Sequence, residues 1–417
     1  MKRVSFCQVH LDRLKSAAHN HAREFMRHAL RLARRGYGTT APNPMVGAVL
    51  VKGGKIIGQG WHRRAGGPHA EVEALLDAKR KGHSPNGATL YVTLEPCSTR
   101  GRTPPCTDAI IDAGIRRVVV GATDPNPAHA GRAFNILKRA GIALTCGVHA
   151  ADCLRLNQPF NHWIVQRTPF VTVKAAMTLD GKIATAGGES KWITGVKARA
   201  YGMKLRQGAD AVLVGINTIL ADDPSLTFRP RTTARERRAK TRPLRRIILD
   251  ATARTPLAAK VVTDEHARWT TIVVARDAPR NRVAALAKRV QVVVAPSAAK
   301  SRLPNRRSAI DLPWLLKRLG DEGVTNLLAE GGGEINASFL LEGLAQRVVF
   351  FYAPKILGGR DALKAVAGEG AGRLEEIIHL RDIEWRRIGL DLLLTAQIDG
   401  VESLHRLQAA KRTQAFQ

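Results

Sequence analysis

The chain is short of aromatics, acids, cysteines and long apolar runs, and each shortage closes off a class of protein. No apolar run is long enough to cross a bilayer as a helix. The N-terminal stretch MKRVSFCQVHLDRLKSAAHNHAREF is basic but has no apolar segment of the signal-peptide kind, so no secretory signal is expected. The five cysteines (Cys7, Cys97, Cys106, Cys146 and Cys153) are an odd, sparse set in 417 residues. That argues against a disulfide framework and for a reducing, cytoplasmic setting. Cys146 and Cys153 have no His or Cys at ligand spacing and read as small buried thiols. Acids number 35 against 66 Lys and Arg, for a formal net charge of +31. Such a surplus raises a nucleic-acid partner. Yet aromatics are only 5% of the chain, and no stacking platform accompanies the basic stretch Arg229 to Arg246. That stretch, with Pro230 and Pro243 in it, reads as a solvated loop.

What is present is a globular composition, 44% hydrophobic, in a chain long enough for two domains. Glu24 to Arg35 has apolar residues at helical spacing. Val46 to Val51, a Lys52-Gly53-Gly54-Lys55 turn and a second apolar run predict a hairpin. Helix is expected over 71–79 and 106–113, strand over 89–94 and 117–121. The pattern weakens over 151–168, around Asn157, Gln158, Pro159 and Asn161, and a linker is placed there. A second series follows, with strands expected near 170–175, 211–215, 246–250, 271–275, 290–294, 326–329 and 348–352. The order predicts an α/β protein of two domains with no internal repeat. The expected division is an extension over 1–20, domains over 21–150 and 169–400, and a tail over 401–417.

Three groups carry chemistry: His69-Ala70-Glu71, Pro96-Cys97 and Pro105-Cys106. One imidazole and two thiolates can hold Zn2+ and leave a fourth position for water, as catalytic zinc requires. A structural site would want a fourth ligand, and neither His62 nor His83 sits in a ligand motif. Glu71 is placed to take a proton from water and return it to a ring nitrogen and leaving ammonia. Eight residues separate the cysteines, where nucleobase deaminases usually have two. The inserted Arg100 and Arg102 suit an anionic, phosphorylated small molecule.

The run TLEPCSTRGRTPPC resembles the deaminase signature of the bifunctional riboflavin-biosynthesis deaminase–reductases. Ala41-Pro42-Asn43-Pro44-Met45-Val46-Gly47-Ala48-Val49 resembles that family's substrate-ring loop, and Asp124-Pro125-Asn126-Pro127 its phosphoribosyl-side loop. Many members have a histidine where Thr99 stands. From Val173 to Lys182 the sequence resembles the opening strand and turn of the family's reductase domain. The likeness extends from about His21 to Asp399. It implies a cytidine-deaminase-like three-layer domain followed by a dihydrofolate-reductase-like domain. It also implies zinc at His69, Cys97 and Cys106, with Glu71 catalytic and Asn43 on the substrate ring. In the second half it carries Ser190, Arg206, Leu226, Arg229 and Glu330 to a phosphorylated substrate. Ala176, Trp192, Thr218, Asp222, Gly332 and Gly333 go to NADPH. Arginine at 206 and 229 makes independent sense, because a planar bidentate cation suits phosphate. Glu330-Gly331-Gly332-Gly333 lies between an apolar run and a helical segment, where backbone N–H groups can cradle a diphosphate. It is not a G-x-G-x-x-G fingerprint, so no Rossmann fold is expected.

The reaction pair implied is hydrolytic removal of the 2-amino group of 2,5-diamino-6-(5-phosphoribosylamino)pyrimidin-4-one, then reduction of the product's ribosyl group. Two other readings compete: a tRNA or nucleic-acid deaminase with a basic appendage, and a zinc-stabilised RNA-binding protein without activity. The cysteine spacing and the reductase-like half oppose the first, and the intact His69, Glu71, Cys97 and Cys106 the second. Small phosphoribosyl pyrimidines are thus the expected partners, with no membrane and no nucleic acid, and with homo-oligomerisation left open.

Overall fold

The computed structural model describes residues 6–100, 104–229, 243–296 and 310–399, with side chains from residue 20 onward. The tail at 401–417, Arg102, and residues 230–242 of the basic loop lie outside them, as do the first five residues of the expected N-terminal extension. The chain divides into two compact units, Met1–Gln166 and Arg167–Gln417.

The first unit runs α1 (Phe6–Ala33), β1 (Gly47–Lys52), β2 (Lys55–Trp61), α2 (Ala70–Arg80), β3 (Thr89–Leu94), α3 (Cys106–Asp112) and β4 (Arg117–Ala122), then α4 (Arg132–Arg139), β5 (Ala143–Cys146), α5 (Ala150–Leu156) and α6 (Gln158–Gln166). Its sheet has the order β2-β1-β3-β4-β5. The β1–β2 hairpin and the β1–β3 pair are antiparallel, and β3, β4 and β5 are parallel. Alternation along β1 sorts the two faces. Ala48 and Leu50 pack with Ala70, Ala74 and Ala78 of α2, Ile110 of α3 and Leu137 of α4. Val49 and Val51 pack with Met26, Ala29 and Leu30 of α1 and Cys153 of α5. The result is three layers.

Helix α2 lies very close to β2, and two glycines permit it. A Cβ at Gly58 would fall 2.4 Å from the Ala74 carbonyl oxygen, and one at Gly60 would fall 2.5 Å from the Ala74 nitrogen. The helix therefore rests on bare strand backbone.

The expected linker over 151–168 is mostly helical, as α5 and α6, and the two units divide between 166 and 167. The polar residues there mislead because Asn157 is not solvated. It is 3% exposed and bonds the backbone of Met45 through both ends of its amide. Pro159 sits in the first turn of α6, where its missing N–H costs the helix nothing.

The second unit contains β6 (Phe170–Thr178), β7 (Lys182–Ala184), α7 (Val196–Gly208), β8 (Ala211–Gly215), α8 (Ile216–Asp222), β9 (Arg245–Leu249), α9 (Lys260–Thr263), β10 (Thr270–Val274), α10 (Arg280–Ala287) and β11 (Gln291–Val294). It continues with α11 (Leu312–Asp321), β12 (Asn326–Ala329), α12 (Gly333–Leu341), β13 (Arg347–Ala353), β14 (Leu363–Lys364), β15 (Leu380–Ile388) and β16 (Asp391–Ile398). Nine strands form one sheet in the order β11-β10-β9-β8-β12-β6-β13-β16-β15. From β11 to β13 it is parallel, and β16 and β15 return antiparallel. All seven expected strands lie in it. Leu315, Leu316 and Leu319 of α11 and Phe339 of α12 cover one face over Val171, Leu213, Ile247 and Leu327. The other face carries Ile219 of α8 and Leu286 of α10 over Val212, Val214, Ile248 and Ile272.

Candidate functional site

The carboxyl end of β3 and the starts of α2 and α3 meet in the first unit. His69 caps the start of α2 with extended backbone, and Glu71 lies in that helix's first turn. Cys97 follows β3, and Cys106 opens α3. The Nδ1 of His69 and the sulfurs of Cys97 and Cys106 all lie within 4.8 Å of one another. His69 Nδ1 is 3.4 Å from Cys97 Sγ and 3.3 Å from Cys106 Sγ. Tetrahedral zinc, with Zn–S near 2.3 Å and Zn–N near 2.0–2.1 Å, sets neighbouring N and S donors roughly 3.5 Å apart. The donor set therefore fits the ion. Neither His62 nor His83 joins it.

The Cys106 backbone N–H donates to Cys97 Sγ at 3.3 Å, so the start of α3 supports the neighbouring sulfur. Hydrogen bonding with Cys106, and after it with His69, holds the Cys97 thiol far below its ordinary value, at about 4. Cys106 is pushed up by Cys97 and by burial. Burial also pushes the Glu71 carboxyl up to about 7, against the opposing charge of His69. Two thiols and a carboxyl packed this closely favour a cation among them.

These residues open on a cavity of about 350 Å³. Asn43, expected on the substrate ring, lines it together with His62, Glu71, Thr99, Asp124 and Asn126. His62 Nδ1 lies 3.0 Å from the Pro68 carbonyl oxygen, to which it donates, leaving Nε2 to accept from Asn43 Nδ2 at 3.1 Å. Burial lowers the His62 pKa, consistent with a neutral ring that fixes the Asn43 amide. Glu95, His129, Phe160, Trp163 and Ile164 also line the cavity, and sequence reasoning missed all five. Three of them lie in the expected linker. Their i, i+3, i+4 spacing is the apolar stripe that could have revealed a helix there. Arg100 is exposed.

In the second unit, some of the residues expected to bind ligands lie on or directly after β8, β12 and β6, which are neighbours in the sheet. That is where open α/β sheets hold ligands. Glu330 and the three glycines follow β12, Thr218 and Asp222 lie on α8 after β8, and Ala176 is on β6. Cβ atoms at Gly331 and Gly333 would collide with Ile335 and with the Lys364 carbonyl oxygen, whereas the space at Gly332 is open. Lys191, between Ser190 and Trp192, reaches Asp222 at 2.9 Å. Trp192 is 65% exposed, with Arg199 stacked 4.6 Å from its ring. Arg206 and Glu330, both expected on substrate, bind each other through two hydrogen bonds of 2.7 and 3.2 Å. Arg206 also donates to the Thr227 carbonyl oxygen at 3.1 Å. The fully buried Arg246 pairs with Asp264 and donates to the Ser225 carbonyl oxygen at 3.0 Å. These two arginines thus grip the chain on either side of Leu226, which is buried with φ +51°. Arg229 is exposed.

Comparison with known proteins matches both units. Residues 19–122 match the family model of the cytidine and deoxycytidylate deaminase zinc-binding region. Residues 169–394 match that of the RibD C-terminal domain. The riboflavin biosynthesis protein RibD of Aquifex aeolicus is 43% identical over 372 residues, covering 89% of this chain and 97% of the relative. That of Actinobacillus pleuropneumoniae is 41% identical, covering 89% and 94%. Among solved structures, Acinetobacter baumannii RibD superposes with TM-score 0.77 at 34% identity, covering 91% of this chain and 99% of that one. The Thermotoga maritima diaminohydroxyphosphoribosylaminopyrimidine deaminase/5-amino-6-(5-phosphoribosylamino)uracil reductase gives TM-score 0.75 at 33% identity, with the same coverage. The expected fold holds, a cytidine-deaminase-like unit followed by a dihydrofolate-reductase-like α/β unit. The chain belongs to the RibD family of riboflavin biosynthesis proteins, bifunctional enzymes with a zinc-binding deaminase unit and an NADPH-dependent reductase unit.

Proposed function

We propose that the unit around residues 21–150, extended by α5 and α6, deaminates 2,5-diamino-6-(5-phosphoribosylamino)pyrimidin-4-one. The unit around 169–400 then reduces the resulting 5-amino-6-(5-phosphoribosylamino)uracil to its ribityl form. The convergence of His69, Cys97 and Cys106 with a buried Glu71 carries the deaminase assignment. Zinc held there supplies a Lewis acid that lets water act as a nucleophile near neutral pH. Glu71 accepts a proton from the attacking water and passes it to the ring nitrogen. The second proton leaves with the amino group as ammonia, and the ring gains a carbonyl. A carboxyl brought near 7 by burial can both take and give that proton. Asn43, fixed by His62, orients the ring.

NADPH supplies the hydride for the second step. Gly332 leaves room for its diphosphate to approach the backbone at the start of α12, while Ala176, Thr218, Asp222 and Trp192 hold the remainder. Arg206 and Glu330 order the segment from Leu226 to Arg229. Ser190, Leu226 and Arg229 bind the substrate, and Glu330 reaches it from its pair with Arg206.

The substrates are small molecules, and a nucleic-acid substrate is not part of this reading. Among the described residues no helix is long and apolar enough to cross a membrane. We place the enzyme in the cytoplasm.

The test follows ammonia and NADPH together in zinc-loaded protein given the diamino substrate. Ammonia release followed by NADPH loss is expected. Glu71→Gln should lower the deamination kcat by about 10²–10⁴. Full deamination by that variant would remove Glu71 from the mechanism, and ammonia without NADPH loss would remove the reductase assignment.

A further inference from the structure

Arg246 is the largest fully buried side chain among the described residues, and no step above uses it. It stands on β9, and it makes five hydrogen bonds, as many as a guanidinium has N–H donors. Nε donates to Thr270 Oγ1 on β10 at 2.8 Å. The two terminal nitrogens hold the Asp264 carboxylate at 2.7 and 2.8 Å, and one of them also donates to the Val261 carbonyl oxygen at 3.1 Å. Val261 lies in α9 and Asp264 caps its end, so these four bonds tie β9 to α9 and β10. The fifth, to the Ser225 carbonyl oxygen at 3.0 Å, leaves the core for a segment of the ligand site. That segment contains two non-glycine residues in the left-handed region, Asp223 at φ +39° and Leu226 at φ +51°. Such backbone persists only where its surroundings hold it. Asp223 Oδ1 accepts the Lys260 N–H of α9 at 2.8 Å, and the Leu226 side chain is buried in one cluster with Val261, Val262 and Ile248.

A buried ion pair that served packing alone would be complete with the first four bonds. The fifth is made to the carbonyl immediately before the left-handed Leu226. If that carbonyl were released, Leu226 could relax to the ordinary negative φ, which turns the peptide group at 225–226 and redirects the chain running to Arg229. The consequence is selective along the segment. Leu226 and Arg229, assigned above to substrate, lie beyond the turned peptide. Asp222, assigned above to the cofactor, lies before it and is held separately by Lys191 at 2.9 Å. We propose that Arg246, locked in place by Asp264, is a positioning residue for reduction. Through the Ser225 carbonyl it keeps Leu226 left-handed, and so sets the affinity for the sugar-phosphate substrate and not that for NADPH. This rests on the reductase reading above and adds to it a side chain too deeply buried to touch either ligand.

The experiment supplies the full-length protein with the deaminated substrate and follows NADPH oxidation, varying each reactant in turn. Arg246→Lys keeps a positive charge against Asp264 but lacks the planar fork that also reaches Ser225. It should raise the substrate KM about tenfold, with kcat within about threefold and the NADPH KM within about twofold. Asp264→Asn, at a side chain 24% exposed, loosens the guanidinium without emptying the core, and should raise the substrate KM about threefold. It carries the test alone if Arg246→Lys does not fold. The decisive readout is a double-mutant cycle with Leu226→Gly, because glycine adopts positive φ at no steric cost. In that background the penalty of Arg246→Lys, or of Asp264→Asn, should shrink to less than about twofold. An undiminished penalty there, or equal rises in both KM values, would make the role one of packing and overturn the proposal. So would an unchanged substrate KM in the folded variants. A wild type that oxidises no NADPH sinks the reductase reading and this one with it, whereas an active wild type with indifferent variants sinks only this one.

Discussion

Asn157 and Met45, 112 residues apart, are hydrogen-bonded twice. The Met45 N–H donates to Asn157 Oδ1 at 2.8 Å, and Asn157 Nδ2 donates to the Met45 carbonyl oxygen at 2.9 Å. One side chain thus closes the backbone of the loop holding Asn43 onto the start of α6, whose Phe160, Trp163 and Ile164 line the cavity.

Asn157→Leu keeps the volume and leaves both Met45 backbone groups unpaired. Each buried group so stranded costs about 1–3 kcal/mol. Thermal unfolding of the first unit should move down by several degrees, and the deamination KM should rise more than kcat falls. An unchanged midpoint and KM would show that the pairing is incidental.

His62 should matter to deamination without touching the metal. His62→Leu frees the Asn43 amide, which nothing else is shown to orient. The expected loss in kcat/KM is about tenfold, the worth of one good hydrogen bond. Zinc content, measured on the purified variant, should stay at the wild-type level. A drop in zinc instead would place His62 among the ligands.

Removal of zinc separates the two activities. Chelation, or Cys97→Ser, should abolish ammonia release. Reduction of the separately supplied deaminated substrate should continue at its former rate, since no metal-ligating cluster is found in the described residues of the second unit. Parallel loss of NADPH oxidation would contradict that independence.

Local chemistry was more legible in the sequence than were the walls around it. His69, Glu71, Cys97 and Cys106 could be read because zinc and proton transfer demand particular atoms at short spacing. The seven parallel strands could be read because strands buried on both faces are continuous apolar runs. Residues 151–168 were misread because a buried Asn that bonds backbone looks in sequence like a solvated one. β15 was missed because most of it is exposed at the sheet edge, so it lacks a buried face to set a period of two. His62 was set aside for lack of a ligand motif, yet its contribution is a hydrogen bond to Asn43 that only the fold brings within reach. The pairing of Arg206 with Glu330 was likewise invisible, since each alone has the chemistry of a substrate ligand.

That pair gives a pH dependence. Although burial opposes it, the charges of Arg206 and then Lys174 hold the Glu330 carboxyl down at about 2, against an ordinary 4.5. A carboxyl lowered on folding stabilises the protein above its ordinary pKa, and the contribution fades as pH falls through the folded value. Stability on the order of 3 kcal/mol should therefore be lost from the second unit between about pH 4.5 and 2. Arg206→Met strands the carboxylate and should cost about 3–5 kcal/mol at neutral pH. Denaturant midpoints at pH 7 and pH 3 would check both, and a wild-type midpoint insensitive to pH over that window would refute the assignment.

The bare contact of α2 with Gly58 and Gly60 bears on how this enzyme can change over generations. At these two positions of β2 the distance between helix and strand is set largely by main chain against main chain. No side chain can grow at these two strand positions without moving α2, so the approach of the helix that carries His69 and Glu71 is fixed where the sequence has least freedom to vary. The two glycines concentrate the vulnerability, because even one added methyl at either position would lift the helix, and His69 and Glu71 with it.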